Sequence, residues 1–140
     1  MQPVLFDTSI YIQILRSKGD TAPTLRQMAA GAPMWLSSVV LEELYAGASG
    51  KGQRVVERLE RDFDRGRRIL VPNLTDWVQT GKVLARLGAK YDYEHIGQGR
   101  LTNDTLIAAS AARLGMTVIS ANARDFGTLA EFLPFQWFTA

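Results

Sequence analysis

Apolar residues along this chain occur in short runs that are separated by longer amphipathic stretches. Each run is three or four residues long and is bounded by polar or turn-forming residues, which is typical of buried strands. The predicted strands are residues 4–6, 34–36, 69–71 and 117–120, with an edge strand at 135–138. The predicted helices are residues 10–15, 22–30, 39–46, 53–65 and 75–90, and a helix that runs from 102 or 103 to 114.

The alternation of short apolar strands with helices predicts βαβ units and a parallel sheet that is covered on both faces. We therefore expect an α/β fold, a three-layer α/β/α sandwich with a central parallel sheet of four to five strands. The sequence contains no internal repeat, low-complexity tract or linker-like segment. With 140 residues, it is predicted to form one domain over residues 1–140.

Composition excludes several classes of site. The chain has no cysteine, so disulfides, thiolate metal sites and cysteine nucleophiles are ruled out, and it has one histidine. Its net charge of +2 permits a nucleic-acid partner without requiring one. No apolar run reaches the roughly 18 residues of a membrane-spanning helix. The first residues lack the basic and apolar regions of a signal peptide, so we expect a cytoplasmic protein without membrane contact.

Four acidic residues lie near strand ends or helix starts. Asp7 directly follows the first strand, Glu43 lies in the helix after the second, Asp104 is placed in the first turn of the Ala-rich helix, and Asp125 follows the fourth strand. Ligands of open α/β sheets bind beyond the carboxyl ends of the strands. Converging carboxylates repel one another unless a cation lies between them, and Mg²⁺ or Mn²⁺ suits oxygen ligands. Such ions support phosphodiester cleavage in nucleases.

Each acid also has an ordinary structural interpretation. Asp7 and Ser9 can cap the helix that starts near Ile10, and Asn103 with Asp104 can cap the Ala-rich helix or interact with its dipole. Asp125 can do the same ahead of Phe126, and Glu43 can be a plain exposed helical residue. Spacing alone does not choose between Glu42 and Glu43. The functional interpretation gains weight because one fold would bring all four acids together.

Four motifs carry a resemblance to a known family. They are LFDTS at residues 5–9, ELYAG at 43–47, NDTLIAA at 103–109 and SANARDF at 120–126. In this order and spacing, over nearly the whole chain, they resemble PIN-domain nucleases and more narrowly the VapC-type toxins of toxin–antitoxin pairs. The resemblance implies a Mg²⁺-dependent endoribonuclease, with Mn²⁺ as an alternative ion. It also implies an RNA substrate, a homodimer, and a cognate antitoxin that occupies the active-site groove.

Residue by residue, the resemblance makes Asp7, Glu43, Asp104 and Asp125 the catalytic metal site, and it selects Glu43 over Glu42. Four further positions match polar residues beside that site: Thr8, Ser9, Ser120 and Asn122. Ser9 departs from the Asn that is more usual in the family. Because serine keeps a small polar group, we expect a shifted hydrogen bond and retained activity.

Basic and aromatic residues give weaker signals. Four arginines form one stripe on the predicted helix 53–65 and are candidates for RNA phosphate contacts: Arg54, Arg58, Arg61 and Arg65. The alternative is a solvated surface with ion pairs.

Trp35 and Trp137 are predicted in the core, whereas Trp77 is a candidate for dimer or antitoxin contact. Residues 91–100 are predicted to form a surface loop in which Tyr91, Tyr93 and His95 can reach substrate, with no catalytic role for His95.

Three other phosphate chemistries have only partial signals in the sequence. Residues 47–52 contain Gly50-Lys51 but lack the Ser/Thr and the first Gly of a phosphate-binding P-loop. A dinucleotide-binding fold is disfavoured because Gly97 and Gly99 follow no strand. Phosphate attack by Asp7 stays open, although Ser9 stands where a second acid is expected. The alternative from another class is a non-catalytic PIN-like module that binds RNA or protein, and the four acids argue against it.

Overall fold

The computed structural model describes residues 1–17, 20–92 and 100–140. The strands in these ranges are β1 (Val4–Phe6), β2 (Met34–Ser37), β3 (Ile69–Leu70), β4 (Thr117–Ser120) and β5 (Gln136–Thr139). The helices are α1 (Thr8–Arg16), α2 (Thr21–Ala29), α3 (Ser38–Gly47), α4 (Lys51–Arg65), α5 (Leu74–Tyr91), α6 (Arg100–Leu114) and α7 (Ala123–Leu129). Within these ranges, no helix combines the length and apolar character needed to cross a membrane.

The five strands form one parallel sheet in the order β3-β2-β1-β4-β5. Leu5 of the central strand pairs with Trp35 of β2 on one side and with Val118 of β4 on the other. All three residues of β1 are buried, although successive side chains of a strand point to opposite faces of the sheet. Both faces are therefore covered, which confirms the predicted three-layer α/β/α sandwich with a parallel sheet.

Where each of two inner strands ends, a polar residue caps the helix that follows it directly. Asp7 is the N-cap of α1: its Oδ1 atom accepts a hydrogen bond of 2.7 Å from the Thr8 amide. The Ser37 hydroxyl oxygen accepts a hydrogen bond of 3.1 Å from the Val39 amide, and so caps α3. Because neighbouring parallel strands end at the same edge of the sheet, these two N-caps place α1 and α3 side by side over that edge.

Several element boundaries differ from the predictions, among them the end of β3 and the start of α6. Strand β3 ends at Leu70, and Val71, predicted as its last residue, is exposed, because Pro72 stops the strand. Helix α6 begins at Arg100, so Asp104 lies in its second turn and not in the first. Polar side chains at 102–104 imitate a helix start, but these residues are half-buried inside the helix. The interpretation of Asn103 and Asp104 as a cap is therefore wrong.

The predicted set of elements also lacks one helix, α7. Asn122 caps this helix, since its Oδ1 atom accepts a hydrogen bond of 3.3 Å from the Asp125 amide. Asp125 lies in the first turn, where a negative charge interacts favourably with the helix dipole. The helix is only seven residues long, and it is too short for its apolar periodicity to stand out in the sequence.

Candidate active site

Asp7 is a buried carboxylate that accepts hydrogen bonds from three donors. Its side chain is buried, with 4% relative exposure, at the carboxyl end of the central strand. Besides the Thr8 amide on Oδ1, the hydroxyls of Ser9 and Ser120 each donate a hydrogen bond of 2.7 Å to Oδ2. Those hydroxyls in turn accept from the amides of Ala121 and Asn122. The orientation of the Asp7 carboxylate is thus fixed by contacts from α1 and from the end of β4.

Glu43 lies beside Asp7, and Thr8 connects the two acids. The Thr8 amide donates to Asp7, while its hydroxyl donates a hydrogen bond of 2.8 Å to Oε1 of Glu43. Burial raises the pKa of Glu43, and the negative charge of Asp7 adds to that increase; hydrogen bonds from Thr8 and Asn103 partly offset it. Glu42, in contrast, is exposed. Burial therefore separates the two glutamates that the sequence spacing leaves equivalent.

The segment after β4 holds the predicted residues Ser120, Asn122 and Asp125 in one chain of contacts. Ser120 donates to Asp7 and accepts from the Asn122 amide at 2.9 Å. The Asn122 side-chain amide then donates a hydrogen bond of 2.8 Å to Oδ2 of Asp125. Ser9 joins this chain through Asp7 and Ala121, so the serine at this position does hydrogen-bond the first acid.

Asp104 lies in α6, where it is half-buried and has an interaction partner. The neighbouring Asn103 hydrogen-bonds Glu43, so this part of α6 is adjacent to α3. No three carboxylate or imidazole groups of the described residues converge closely enough to hold a metal ion between them. Hydrogen bonds thus link Asp7 to Glu43 through Thr8, and Asp7 to Asp125 through Ser120 and Asn122. The four predicted acids do not form a single ligand cluster among the described residues.

The chemistry of the site fits a divalent cation. Asp7 and Glu43 are adjacent and at least half-buried, and neither forms an ion pair within the described part of the chain. Buried carboxylates without a cationic partner are costly, and a metal ion would supply the positive charge that is lacking. Carboxylate, hydroxyl and amide oxygens are all hard donors, which suit Mg²⁺ or Mn²⁺.

A cleft next to Glu43 opens between α1, the end of α3 and the start of α4; we call it the Glu43 cleft. Its volume is about 560 Å³. Apolar side chains line much of it, among them Ile12, Leu15 and Val55, and Arg16 and Lys51 supply its two cations. The cleft thus combines an acidic residue of the site with a partly basic rim.

The four arginines of the predicted stripe are all exposed on α4, opposite the buried residues Val56 and Leu59. None of them forms an ion pair within residues 1–17, 20–92 and 100–140, so the alternative interpretation holds there for the solvated surface but not for the ion pairs. Arg58 lines a second cleft beside the Glu43 cleft, and Arg61 lies in a shallow depression with three acids. The stripe is solvated, and its contact with RNA stays a prediction.

Sequence reasoning did not assign Asn103 to the site, although the residue lies within one of the four motifs. A polar side chain on the buried face of a helix is the signal that points to it.

Among the aromatic candidates, Tyr91 ends helix α5 and donates hydrogen bonds to Glu131, so its predicted loop position is wrong. Tyr93 and His95 lie outside the described residues. Trp35 and Trp137 pack partly buried against the core as predicted, and Trp77 is 54% exposed.

Comparison with known proteins gives a family and a fold. The family model described as "PIN domain" matches residues 4–131, which is most of the chain. No curated protein matches the sequence significantly.

Three solved structures resemble this fold over nearly the whole chain. DNA-bound VapBC from Salmonella typhimurium matches with a TM-score of 0.69 and 23% identity, covering 99% of this chain and 98% of that one. VapBC-1 from nontypeable Haemophilus influenzae matches with a TM-score of 0.66 and 21% identity, covering 99% of this chain and 98% of that one. VapBC-5 from Mycobacterium tuberculosis, a member of the VapBC family of toxin–antitoxin systems, matches with a TM-score of 0.63 and 19% identity, covering all of both chains. At these identities the likeness shows the fold alone.

Proposed function

This chain belongs to the PIN domain family, and from that premise we propose that it is a divalent-metal-dependent endoribonuclease. We propose further that residues 1–140 form a single domain that acts in the cytoplasm as the toxin of a toxin–antitoxin pair. One observation carries the proposal. The buried carboxylate of Asp7 is held by three donors beside half-buried Glu43, at the carboxyl edge of a parallel sheet, and neither acid forms an ion pair with any residue that the structure describes.

In this proposal Asp7, Glu43, Asp104 and Asp125 hold Mg²⁺ or Mn²⁺. The ion, when bound, activates water and stabilises charge on the phosphodiester. The other residues orient these acids. Ser9 and Ser120 fix Oδ2 of Asp7, and Thr8 fixes both Oδ1 of Asp7 and Oε1 of Glu43. Asn103 orients Glu43, and Asn122 orients Asp125. Preorganisation of this kind lowers the cost of assembling the site when substrate arrives.

The proposed partners are an RNA substrate, a cognate antitoxin and a second copy of this chain. The similar structures are VapBC complexes by their descriptions, which supports an antitoxin partner. An exposed apolar patch supports the second copy, and it comprises Val71 (64% exposed), Leu74 (78%), Trp77 (54%) and Val78 (49%). The acid between them, Asp76, is buried and bound by Arg113. The patch is therefore uncharged, as the centre of a homodimer interface usually is.

The function is tested by incubating the purified protein with a mixed RNA pool in Mg²⁺ or Mn²⁺. Asp7→Asn and Glu43→Gln are the test variants, and Glu42→Gln is the matched control, because Glu42 is the exposed neighbour of Glu43. We expect the wild type and the control to cleave, and we expect EDTA and both test variants to abolish cleavage.

Other outcomes separate the remaining interpretations. Equal cleavage by Asp7→Asn and the wild type would mean a contaminating nuclease or a different site. Cleavage that survives EDTA, with a phosphoryl group trapped on Asp7, would favour the aspartate-nucleophile mechanism. RNA binding without cleavage, together with no measurable Mn²⁺ binding in a calorimetric titration, would identify a non-catalytic binding module.

A further inference from the structure

The Glu43 cleft contains two cations that the arrangement of the acids does not explain. Arg16 lies in the last turn of α1 and Lys51 is the first residue of α4, and both are exposed. Neither forms an ion pair with any residue that the structure describes. Both line the same cleft as Glu43, so α1 and α4, two of the three elements that enclose the cleft, each contribute one positive charge.

Lys51 does not serve the stability of its own helix. A cation in the first turn of a helix is opposed by the helix dipole, and the first turn of α4 contains no acid to compensate. Arg16 differs, because a cation in the last turn is favoured by the dipole, but its guanidinium likewise has no ion-pair partner in the described part of the chain. A locally unfavourable charge on the rim of a cleft is better explained by a ligand than by folding.

We propose that Arg16 and Lys51 bind the phosphate of the nucleotide next to the cleaved bond, and that this nucleotide occupies the Glu43 cleft. The inference rests on the proposed ribonuclease function and assigns a path to its substrate. A volume of about 560 Å³ lies within the range of sites that hold a ligand of nucleotide size. The aliphatic side chains of Ile12, Leu15 and Val55 provide apolar contact for a sugar or a base face.

Charge distinguishes this cleft from the one beside it. The second cleft, of about 450 Å³, shares Leu15 and Val55 with the Glu43 cleft. Its charged lining residues are Arg58 and two acids, Asp20 and Asp62. The Glu43 cleft has the opposite balance, with two cations and one acid that is itself a proposed metal ligand. A polyanionic strand is therefore favoured in the Glu43 cleft and disfavoured in its neighbour.

The test measures RNA binding without cleavage. In the Asp7→Asn protein, fluorescence anisotropy of a labelled single-stranded RNA is recorded over a series of salt concentrations. The double variant Arg16→Gln/Lys51→Gln, called the cleft pair, is compared with the control pair Lys82→Gln/Arg86→Gln. The control pair removes the same charges from exposed positions on α5. We expect the cleft pair to weaken binding about tenfold and to reduce the salt slope by roughly 0.7 for each lost contact, with little change in the control pair.

Kinetics then distinguish substrate binding from a merely structural role. With Asp7 intact, the cleft pair should raise KM and retain kcat, because the lost contacts involve a nucleotide outside the reacting bond. Equal weakening by both pairs, or no weakening by the cleft pair, would overturn the inference.

Two further outcomes keep this inference apart from the proposed function. If the cleft pair binds RNA normally but no longer binds the antitoxin, the cleft is a peptide groove and the inference is wrong. If the wild type does not cleave RNA while the cleft pair alone weakens RNA binding, the nuclease proposal fails and the cleft assignment stands.

Discussion

The hydroxyl of Thr8 donates a hydrogen bond of 2.8 Å to Oε1 of Glu43, and this bond joins the first residue of α1 to the middle of α3. The amide of the same residue holds Oδ1 of Asp7. One threonine therefore fixes the spacing of two acids that lie 36 positions apart in the chain. Small polar residues between the carboxylates set the geometry of the site as directly as the carboxylates themselves.

Replacing Thr8 by Val should lower kcat of RNA cleavage about tenfold, because a hydrogen bond to a charged group is lost while side-chain volume is kept. The same change should raise the pKa of Glu43, since the Thr8 hydrogen bond lowers it. Thr8→Ser retains the hydroxyl and serves as the control, with activity close to wild type. Equal activity of the two variants would show that the bond does not orient Glu43.

Glu43→Gln should abolish cleavage and yet raise the melting temperature in EDTA at neutral pH, by about 2–4 °C. The reason is that burial and the charge of Asp7 both disfavour the carboxylate, as the raised pKa of Glu43 indicates. Differential scanning calorimetry measures the effect, and Glu42→Gln is the control with no expected change. A lower melting temperature for Glu43→Gln would mean that the carboxylate stabilises the metal-free fold.

The Asp76–Arg113 pair should make stability depend on pH. Burial raises the pKa of Asp76, but the two 2.9 Å bonds from Arg113 and the backbone bond from Asn73 outweigh it, so the pKa lies below its ordinary value of 3.8. The stabilisation is therefore present above pH 3.8 and is lost as the pH falls through the folded-state pKa. Asp76→Asn should cost about 2 kcal/mol at neutral pH.

Urea unfolding of the wild type and of Asp76→Asn, in steps from neutral pH to below the ordinary aspartate pKa, measures this difference. The difference in the free energy of unfolding between the wild type and Asp76→Asn should become smaller in acid. Asp64→Asn, at an exposed position on α4, controls for a general loss of one negative charge. A difference that stays constant with pH would contradict the role of the ionised pair.

Tyr11→Phe should leave stability unchanged or raise it by up to about 1 kcal/mol. The Tyr11 ring is fully buried and contacts the edge of Phe6, but its hydroxyl has no hydrogen-bond partner among the described residues. Phe keeps the ring contact and removes the unsatisfied group. Tyr11→Leu, which also removes ring volume, should destabilise clearly in the same urea titration. A marked loss with Tyr11→Phe would reveal a partner for the hydroxyl in solution.

Trp77→Glu should convert a homodimer into a monomer, because it introduces a charge at the centre of the apolar patch. Sedimentation equilibrium gives the mass, and circular dichroism checks that the fold is retained. Phe138→Glu is the matched control, since Phe138 is 64% exposed on the edge strand β5 and is not part of the patch. A dimer that survives Trp77→Glu, or a wild type that is already monomeric, would contradict the proposed interface.

Local pattern determined much of this protein from sequence. The short apolar runs predicted five strands, and their alternation with amphipathic stretches predicted a parallel sheet, because side-chain periodicity follows directly from backbone geometry. The same rules placed Asp7 at a strand end. They failed at α7, which is too short to show a period, and at the start of α6, where half-buried polar residues inside the helix resemble a cap.

Tertiary structure decided what depends on residues that are remote in the chain. Spacing left Glu42 and Glu43 equivalent, and only packing of α3 against α1 half-buries Glu43 beside Asp7 and leaves Glu42 exposed. The bond from Ser120 to Asp7 spans 113 positions, and no local pattern contains it. Periodicity fixes which element each residue belongs to, whereas burial, pairing and pKa arise from contacts that exist only once the elements have packed together.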